Sequence, residues 1–491
     1  MKRFAAVIPA LMLSACVVGP NYGKPAVPVP ATGGAFAETG KSPAVASTAL
    51  PDHWWRLYDD PVVDRLVGDA LTHNTDIRVA AANLARARAV LDEQRGARLL
   101  TTDLSAQYAR QQGNSANAAA FGGTSAKPQT FQFDSFKLGF DASYEVDLFG
   151  GVTRAIEAAR GDAQAAQAQL DAARVSVAAE TARAYATACS NAAQRAVALE
   201  TVALQQKTLG LTNTLFTAGR GTRRDVQRAD VLLAQTQAAI PGFEAERRAS
   251  LYALAVLTGL PPEQVDKDAD ACTAPPRVRA VLPVGDGAAL IARRPDVRAA
   301  ERTLAADTAR VGVAVADIYP KIQLLGSIGL NSTRGSQLFK GTSVNYSVGP
   351  LISWSFPNQT AGRARVRQAR AGADASLATF DGKVLTALQE TEQALARYAG
   401  ALDRNAALRR AEQQSTAAAK LSQLRFDYGA DSFLLLIEAE RDRADARAAL
   451  AQSDAAVADA QISLFKALGG GWEDAPAPVR REPAKDVGTQ P

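Results

Sequence analysis

The sequence predicts a mainly α-helical protein with a smaller antiparallel β component. One helix–strand–strand–helix–helix unit is written twice. Three observations predict this: a repeat kept in constant order, two pairs of segments that alternate apolar and polar residues, and two long runs without proline.

The repeat comes first, because a fixed internal period changes the whole architecture. "NTDIRVAAANLARARA" from Asn74 resembles "RPDVRAAERTLAADTA" from Arg294, with Asp76-Ile77-Arg78 over Asp296-Val297-Arg298 at an offset of 220. "LFTAGRGTRRDVQRA" resembles "RFDYGADSFLLLIEA", with Gly219 over Gly429 at an offset of 210. Leu254 to Gly259 falls over Leu464 to Gly469 at the same 210. The first copy therefore carries about ten extra residues, within Gly113 to Thr130. The division that follows is a leader at 1–15, an N-terminal tether and equatorial segment at 16–73, a first repeat at 74–260, an equatorial linker at 261–293, a second repeat at 294–470 and a disordered tail at 471–491.

Within each copy the strands announce themselves by period 2. Phe136, Leu138, Phe140, Ala142, Tyr144, Val146 and Leu148 alternate with Lys137, Gly139, Asp141, Ser143, Glu145 and Asp147. In the second copy Val344, Tyr346, Val348, Ile352, Trp354 and Phe356 alternate with Ser343, Asn345, Ser347, Ser353 and Ser355. Weaker alternation precedes each: Leu104, Ala106, Tyr108, and then Ile322, Leu324, Ile328, Leu330. Strands are placed at about 100–112, 131–148, 320–331 and 343–356. Such segments suit a half-buried sheet over a core. Four strands cannot close a membrane barrel, since a spanning sheet leaves no edge in lipid and single-chain barrels begin at eight strands. Either the sheet is soluble with protected edges, or several chains share one barrel.

No proline interrupts Thr130 to Ile240 or Asn358 to Ala475, and Ala, Gln, Arg, Glu and Leu dominate both runs. These are helix formers. A helix over Thr153 to Phe216 would be ~95 Å long at about 1.5 Å per residue, a length that suggests coiled-coil neighbours. Gly219 and Gly429 stand where each long helix ends and reverses, and glycine suits the left-handed C-cap. Asp225 and Asp431 follow as N-caps or first-turn acids of the return helices.

The N-terminus is an address. Lys2 and Arg3 precede the apolar Phe4 to Leu13, which is too short to span a bilayer and reads as a secretory signal. Leu13-Ser14-Ala15-Cys16 resembles a bacterial lipobox, which implies cleavage before Cys16 and lipids on its thioether and amino group. Val17 rather than aspartate follows, which favours the outer membrane. Gly19-Pro20-Asn21-Tyr22 and the Pro-rich Lys24 to Pro30 read as an extended tether.

Composition narrows the chemistry. The net charge is +5 over 491 residues, with Lys+Arg and Asp+Glu interspersed, so no nucleic-acid partner is expected. Met1 and Met12 both fall in the leader, and the two histidines, His53 and His73, lie near the start. A thioether metal site is excluded from the mature chain, and neither a metal centre nor a cofactor is expected beyond the lipid on Cys16. Cys189 falls in a helical run and Cys272 in a Pro-rich loop, and they read as two free, partly buried thiols. The sequence has no G-x-x-x-x-G-K-[ST], H-E-x-x-H or G-x-S-x-G motif, so no catalytic site is expected. Trp54 and Trp55 read as packing rather than ligand contact.

Three motifs carry a family resemblance across nearly all of the mature chain. They are Cys16 with Gly19-Pro20-Asn21-Tyr22, "HWWRLYDDPVVDRLVGDAL" from His53 and "YEVDLFGGVTRAIEAA" from Tyr144, completed by the duplicated Gly219 and Gly429 turns. Together they resemble the outer membrane factors of TolC/OprM type, including the NodT-like lipoproteins of RND tripartite pumps. The resemblance implies a mixed α/β membrane protein, mainly α, in which three chains build a twelve-stranded outer-membrane barrel continued by a periplasmic α-helical barrel. It implies a homotrimer lodged in outer-membrane lipid, a periplasmic adaptor docked at a tip formed by Gly219, Arg223, Asp225, Gly429 and Asp431, and an inner-membrane RND-type transporter that supplies energy. It places a periplasmic gate on Leu434, Glu438 and Arg441, where this chain carries glutamate in place of the family's aspartate at Glu438. Arg220 and Arg224 join Arg223 as adaptor or intersubunit contacts, or as solvated charges. The rival reading is a periplasmic adaptor or coiled-coil structural lipoprotein without a pore.

Overall fold

The computed structural model describes residues 17–27, 34–114 and 130–479. The leader, Cys16, most of the extra loop within Gly113 to Thr130 and the tail from residue 480 lie outside the described residues. A short segment brings β1 (Val45–Ala46), α1 (Pro61–His73) and then the first repeat: α2 (Thr75–Gly96), β2 (Thr101–Asn114), β3 (Thr130–Val146), α3 (Gly151–Thr217) and α4 (Arg223–Leu257). A linker follows with α5 (Lys267–Asp270), β4 (Leu282–Pro283) and α6 (Gly287–Arg293). The second repeat is α7 (Pro295–Ala316), β5 (Lys321–Ser332), β6 (Val344–Ser353), α8 (Thr360–Asp427) and α9 (Phe433–Leu468). The protein is mainly helical and each copy runs helix, two strands, two helices.

The chain divides into two compact units. The first takes the described residues up to Lys24 with Ala85–Gln164 and Glu301–Ala378. It holds an antiparallel sheet in the order β2-β3-β5-β6. The register sets Leu104 opposite Phe140, Phe140 opposite Ile328 and Ile328 opposite Tyr346. One residue away, Asp103, Asp141, Ser327 and Ser347 form the matching polar row. The two serine hydroxyls of that row lie 2.8 Å apart. Side chains of adjacent residues point to opposite faces, so one face is apolar and the other polar. At the start of α3, Asp147 accepts from the backbone N–H groups of Val152 and Thr153 at 3.0 and 2.8 Å. Leu91 of α2 packs with Val152, Ile156 and Ala159 of α3.

The second unit takes Pro25–Leu84, Ala165–Ala300 and the described residues from Thr379. Its core gathers around Trp54 and Trp55, both fully buried. Trp54 stacks on Phe465 at 4.7 Å, and Trp55 donates from its indole to Asp64 at 2.8 Å. The strand pair β1–β4 is parallel, Val45 opposite Leu282. α4 runs through Pro241, beyond the proline-free stretch. The proline is solvent-exposed there, and the helix continues through it without that residue's amide hydrogen bond.

One expectation is overturned. Cys189 and Cys272 are not free thiols but a disulfide with an S–S distance of 2.03 Å. Their separation of 83 residues carries no local signal. The pair forms because the linker folds back over α3, bringing the Cα atoms to 5.2 Å.

Candidate functional site

Two helical hairpins, α3–α4 and α8–α9, turn in the same way at an offset of 210. Gly219 and Gly429 have φ of +71° and +74°. A side chain there would be strained, although open space surrounds both. Gly219 N–H donates to Phe216 O at 3.0 Å and Arg220 N–H to Leu215 O at 2.8 Å. Gly429 N–H donates to Phe426 O at 2.9 Å and Ala430 N–H to Arg425 O at 2.8 Å. Both are Schellman caps, closing carbonyls the helix end leaves open.

The return helices are capped differently. Thr222 and Asp225 form a capping box, and the Thr222 hydroxyl and backbone hold the Asp225 carboxyl below the usual carboxylate range. In the second copy Ser432 is the cap, and Asp431 instead takes Arg425 at 2.8 Å. Position 221, the counterpart of Asp431, is glycine. Arg220, Arg223 and Arg224 are exposed, and Arg224 helps to hold the Asp225 carboxylate ionised. One turn is thus locked by an ion pair, and the other presents exposed cations.

On α9, Leu434, Glu438 and Arg441 share an exposed stripe at i, i+4 and i+7. Leu436, behind the stripe, is buried. Arg441 pairs with Asp445 at 3.8 Å rather than with Glu438, and Glu438 has no cation partner among the described residues. Next to the stripe, Glu440 is buried and paired with Arg443. Burial pushes the Glu440 carboxyl up against the pull of Arg443 and Arg447. Arg441 and Asp445 border a cavity of about 270 Å³ walled by Val197 and Thr201 of α3, Leu232 and Phe243 of α4, and Ala448. At the offset of 210, Leu434 and Glu438 correspond to Arg224 and Arg228. Where the second copy carries the carboxylate of Glu438, the first carries the guanidinium of Arg228.

A cavity of about 630 Å³ is lined by Arg183, Arg294, Glu390, Asp459 and Lys466, among others. Arg294 holds Glu390 at 2.7 Å and Arg183 holds Asp459 at 2.9 Å, so these charges are already matched. Asp52, His53 and Asp474 converge within 4.8 Å. Asp52 there accepts from the backbone N–H groups of Gly471, Glu473 and Asp474, which makes it a cap for the segment after α9.

The sheet is the other functional surface. Leu104, Phe140, Ile328 and Tyr346, the row across all four strands, are 77, 45, 55 and 80% exposed. Among the described residues, the edges β2 and β6 have no strand beside them. Apolar patches of this extent mark contact with lipid or protein. At one end of the strands Trp354 stacks on Phe356 at 4.7 Å, and Phe149 stacks on Tyr319 at 4.6 Å. Aromatic rings at a strand end are the composition of an interfacial girdle on a sheet that meets lipid.

An amphipathic sheet with open edges and paired helical hairpins defines a class of outer-membrane protein, and similarity to known proteins gives the family. The family model for outer membrane efflux proteins matches residues 66–260 and 288–470. Nodulation protein T of Rhizobium leguminosarum bv. trifolii is 30% identical over 472 residues, 96% of this chain and 97% of that one. Outer membrane protein OprJ of Pseudomonas aeruginosa is 29% identical over 485 residues, 96% of each chain. Among solved structures, the outer-membrane channel OprN matches with a TM-score of 0.84 at 35% identity, over 93% of this chain and 100% of that one. The chain belongs to the outer membrane efflux protein family, and it is an outer-membrane efflux component.

Proposed function

We propose that three copies of this chain build one channel, the outer-membrane exit of a tripartite efflux system. The observation that carries the proposal is the four-strand apolar row with unpaired β2 and β6 edges. Three such sheets joined edge to edge close a twelve-stranded barrel, which removes every edge and hands the apolar row to lipid. The polar row of Asp103, Asp141, Ser327 and Ser347 then lines a wet lumen. The chain performs no chemistry; flow through it is passive. Energy comes from an inner-membrane RND-type transporter through a periplasmic adaptor that docks on the tip bearing Gly219, Arg223, Asp225, Gly429 and Asp431. Cys16 carries lipid that adds a second hold on the outer membrane.

The gate reading follows from charge. Three Glu438 carboxylates around one axis repel, and none has a cation partner among the described residues of its own chain. A ring of this kind selects cations and closes only when cations from a neighbouring hairpin approach. Arg441, held by Asp445, and Leu434 complete the constriction. An adaptor that splays the α8–α9 hairpin opens it as a hinge.

The test is the mass of the particle extracted in detergent from isolated outer membranes, by light scattering. Three chain masses, with conductance in planar bilayers, fit the shared barrel. One chain mass, or recovery from the soluble periplasm, overturns it and returns the sheet to a periplasmic adaptor or spacer.

A further inference from the structure

Of the expected tether, residues 18–22 are docked, and residues 28–30 lie outside the described residues. Val18 N–H donates to Phe149 O at 3.2 Å. Arg154, in the first turn of α3, donates to Val18 O at 3.2 Å, to Gly19 O at 3.4 Å and to Asn21 Oδ1 at 2.7 Å. Its remaining contact is Glu157 at 2.8 Å, and its side chain is 4% exposed. Tyr22 donates to Glu301 at 2.9 Å, and the Arg302 guanidinium lies over its ring at 5.8 Å. Burial and the Glu301 hydrogen bond push the Tyr22 phenol up to about 12, so it remains a donor at neutral pH.

Glycines make the approach possible. A Cβ on Gly19, whose φ is +88°, would lie 2.5 Å from the Gly312 Cα. A Cβ on Gly150, whose φ is +77°, would lie 2.8 Å from Val17. Burying a guanidinium is costly unless its donors are satisfied. Here three of the four hydrogen-bond contacts go to residues 18–21. An apolar side chain would pack α3 as well at less cost, so the arginine serves the segment it holds. The acceptor Phe149 belongs to the aromatic stack with Tyr319, where a girdle meets the headgroup level.

We propose that Arg154 is a positioning residue for the lipid anchor. It fixes Val17–Tyr22 at the junction of β3 and α3, so that acyl chains on the neighbouring Cys16 enter the bilayer beside the barrel's aromatic rim and not at the end of a swinging tether. The lipid half of this proposal rests on the reading of Cys16 given above; the docking half does not.

The test uses a nitroxide on Gly23→Cys in the full-length, membrane-extracted protein. Gly23 follows the docked segment and has open space around it. Cys189 and Cys272 are paired and a lipidated Cys16 has no free thiol, so the new thiol is the one that labels, and labelling of the Gly23 parent reports an unmodified Cys16. The expected spectrum is immobilised in the Gly23→Cys background, and the immobilised component is lost on adding Arg154→Ala or Gly19→Ala while particle mass is unchanged. Gly19→Ala acts from the segment's side and carries the test alone if Arg154→Ala fails to fold. A freely mobile label in the background, or an immobilised one in a folded variant, overturns the positioning role. Mass spectrometry of the N-terminal peptide separates the two halves. Lipid present with a mobile label sinks the positioning alone, whereas an unmodified Cys16 sinks the anchor reading whatever the label does.

Discussion

Ile328→Arg is the most direct probe of the barrel. Ile328 sits in the central strand β5 between Phe140 and Tyr346 and is 55% exposed. It lies seven residues above Lys321, the first residue of the strand. At about 3.4 Å per residue and a tilt of about 45°, that is ~17 Å along the membrane normal. An apolar band about 25 Å tall then has Ile328 within about 5 Å of its midplane. Arginine near the midplane of such a sheet costs about 2–4 kcal/mol. In the proposed trimer three copies bring the penalty to roughly 6–12 kcal/mol, comparable with the whole net stability of an ordinary domain. The neighbour Ser327→Arg points to the other face and meets water, so its cost should stay within about 0.5 kcal/mol. The assay is outer-membrane fractionation followed by heating in detergent, with trimer read by gel mobility. Ile328→Arg should leave little trimer in the membrane, and Ser327→Arg should match the parent. A trimer that tolerates Ile328→Arg and loses Ser327→Arg would put lipid on the wrong face and refute the reasoning.

Other outcomes follow from the same structure. Cys189→Ser opens an 83-residue loop, and chain entropy assigns the closure about 4.5 kcal/mol, so the melting temperature should drop; tryptic peptides joined only without reductant identify the bond. Gly219→Ala and Gly429→Ala should each cost about 1–2 kcal/mol from φ alone, since both sites are sterically open, and urea melts measure it. Glu438→Gln should leave stability within about 0.5 kcal/mol of the parent and shift the open channel's reversal potential away from cations, whereas unchanged selectivity would remove Glu438 from the gate. Asp266 is held below the usual range by its hydrogen bonds to Arg65, with burial opposing and the Ala269 backbone helping. A depressed carboxyl stabilises the fold above its unfolded value of about 3.9 and loses that contribution as the pH falls through its folded value. Asp266→Asn should therefore speed hydrogen exchange around α5 at pH 7, and the difference from the parent should vanish only once the pH falls below the folded-state value of Asp266.

What could be read from sequence follows from how far each signal reaches along the chain. Phe136 to Leu148 declared a strand because its apolar residues recur every second position. Gly219 and Gly429 declared turns because only glycine takes φ near +70° freely. Arg441 shows the limit. Its spacing allowed Glu438 as partner, yet Asp445, equally local, holds it, because rotamer and packing choose among neighbours on one face. Asp431 was placed as a helix start from its position, but Ser432 took that role and left Asp431 to Arg425.

By itself the sequence determined the duplication, the amphipathic strands, the long helices and their turns, since each is encoded within about one element's length by period, propensity or the need for positive φ. Only the tertiary structure decided that Cys189 meets Cys272, that Arg154 grips residues 18–21, and that Leu104, Phe140, Ile328 and Tyr346 fall into one row. Those contacts join residues 83 or more positions apart in the disulfide and 133 to 136 apart at Arg154. No local pattern encodes them; they arise because burying one surface brings another into register.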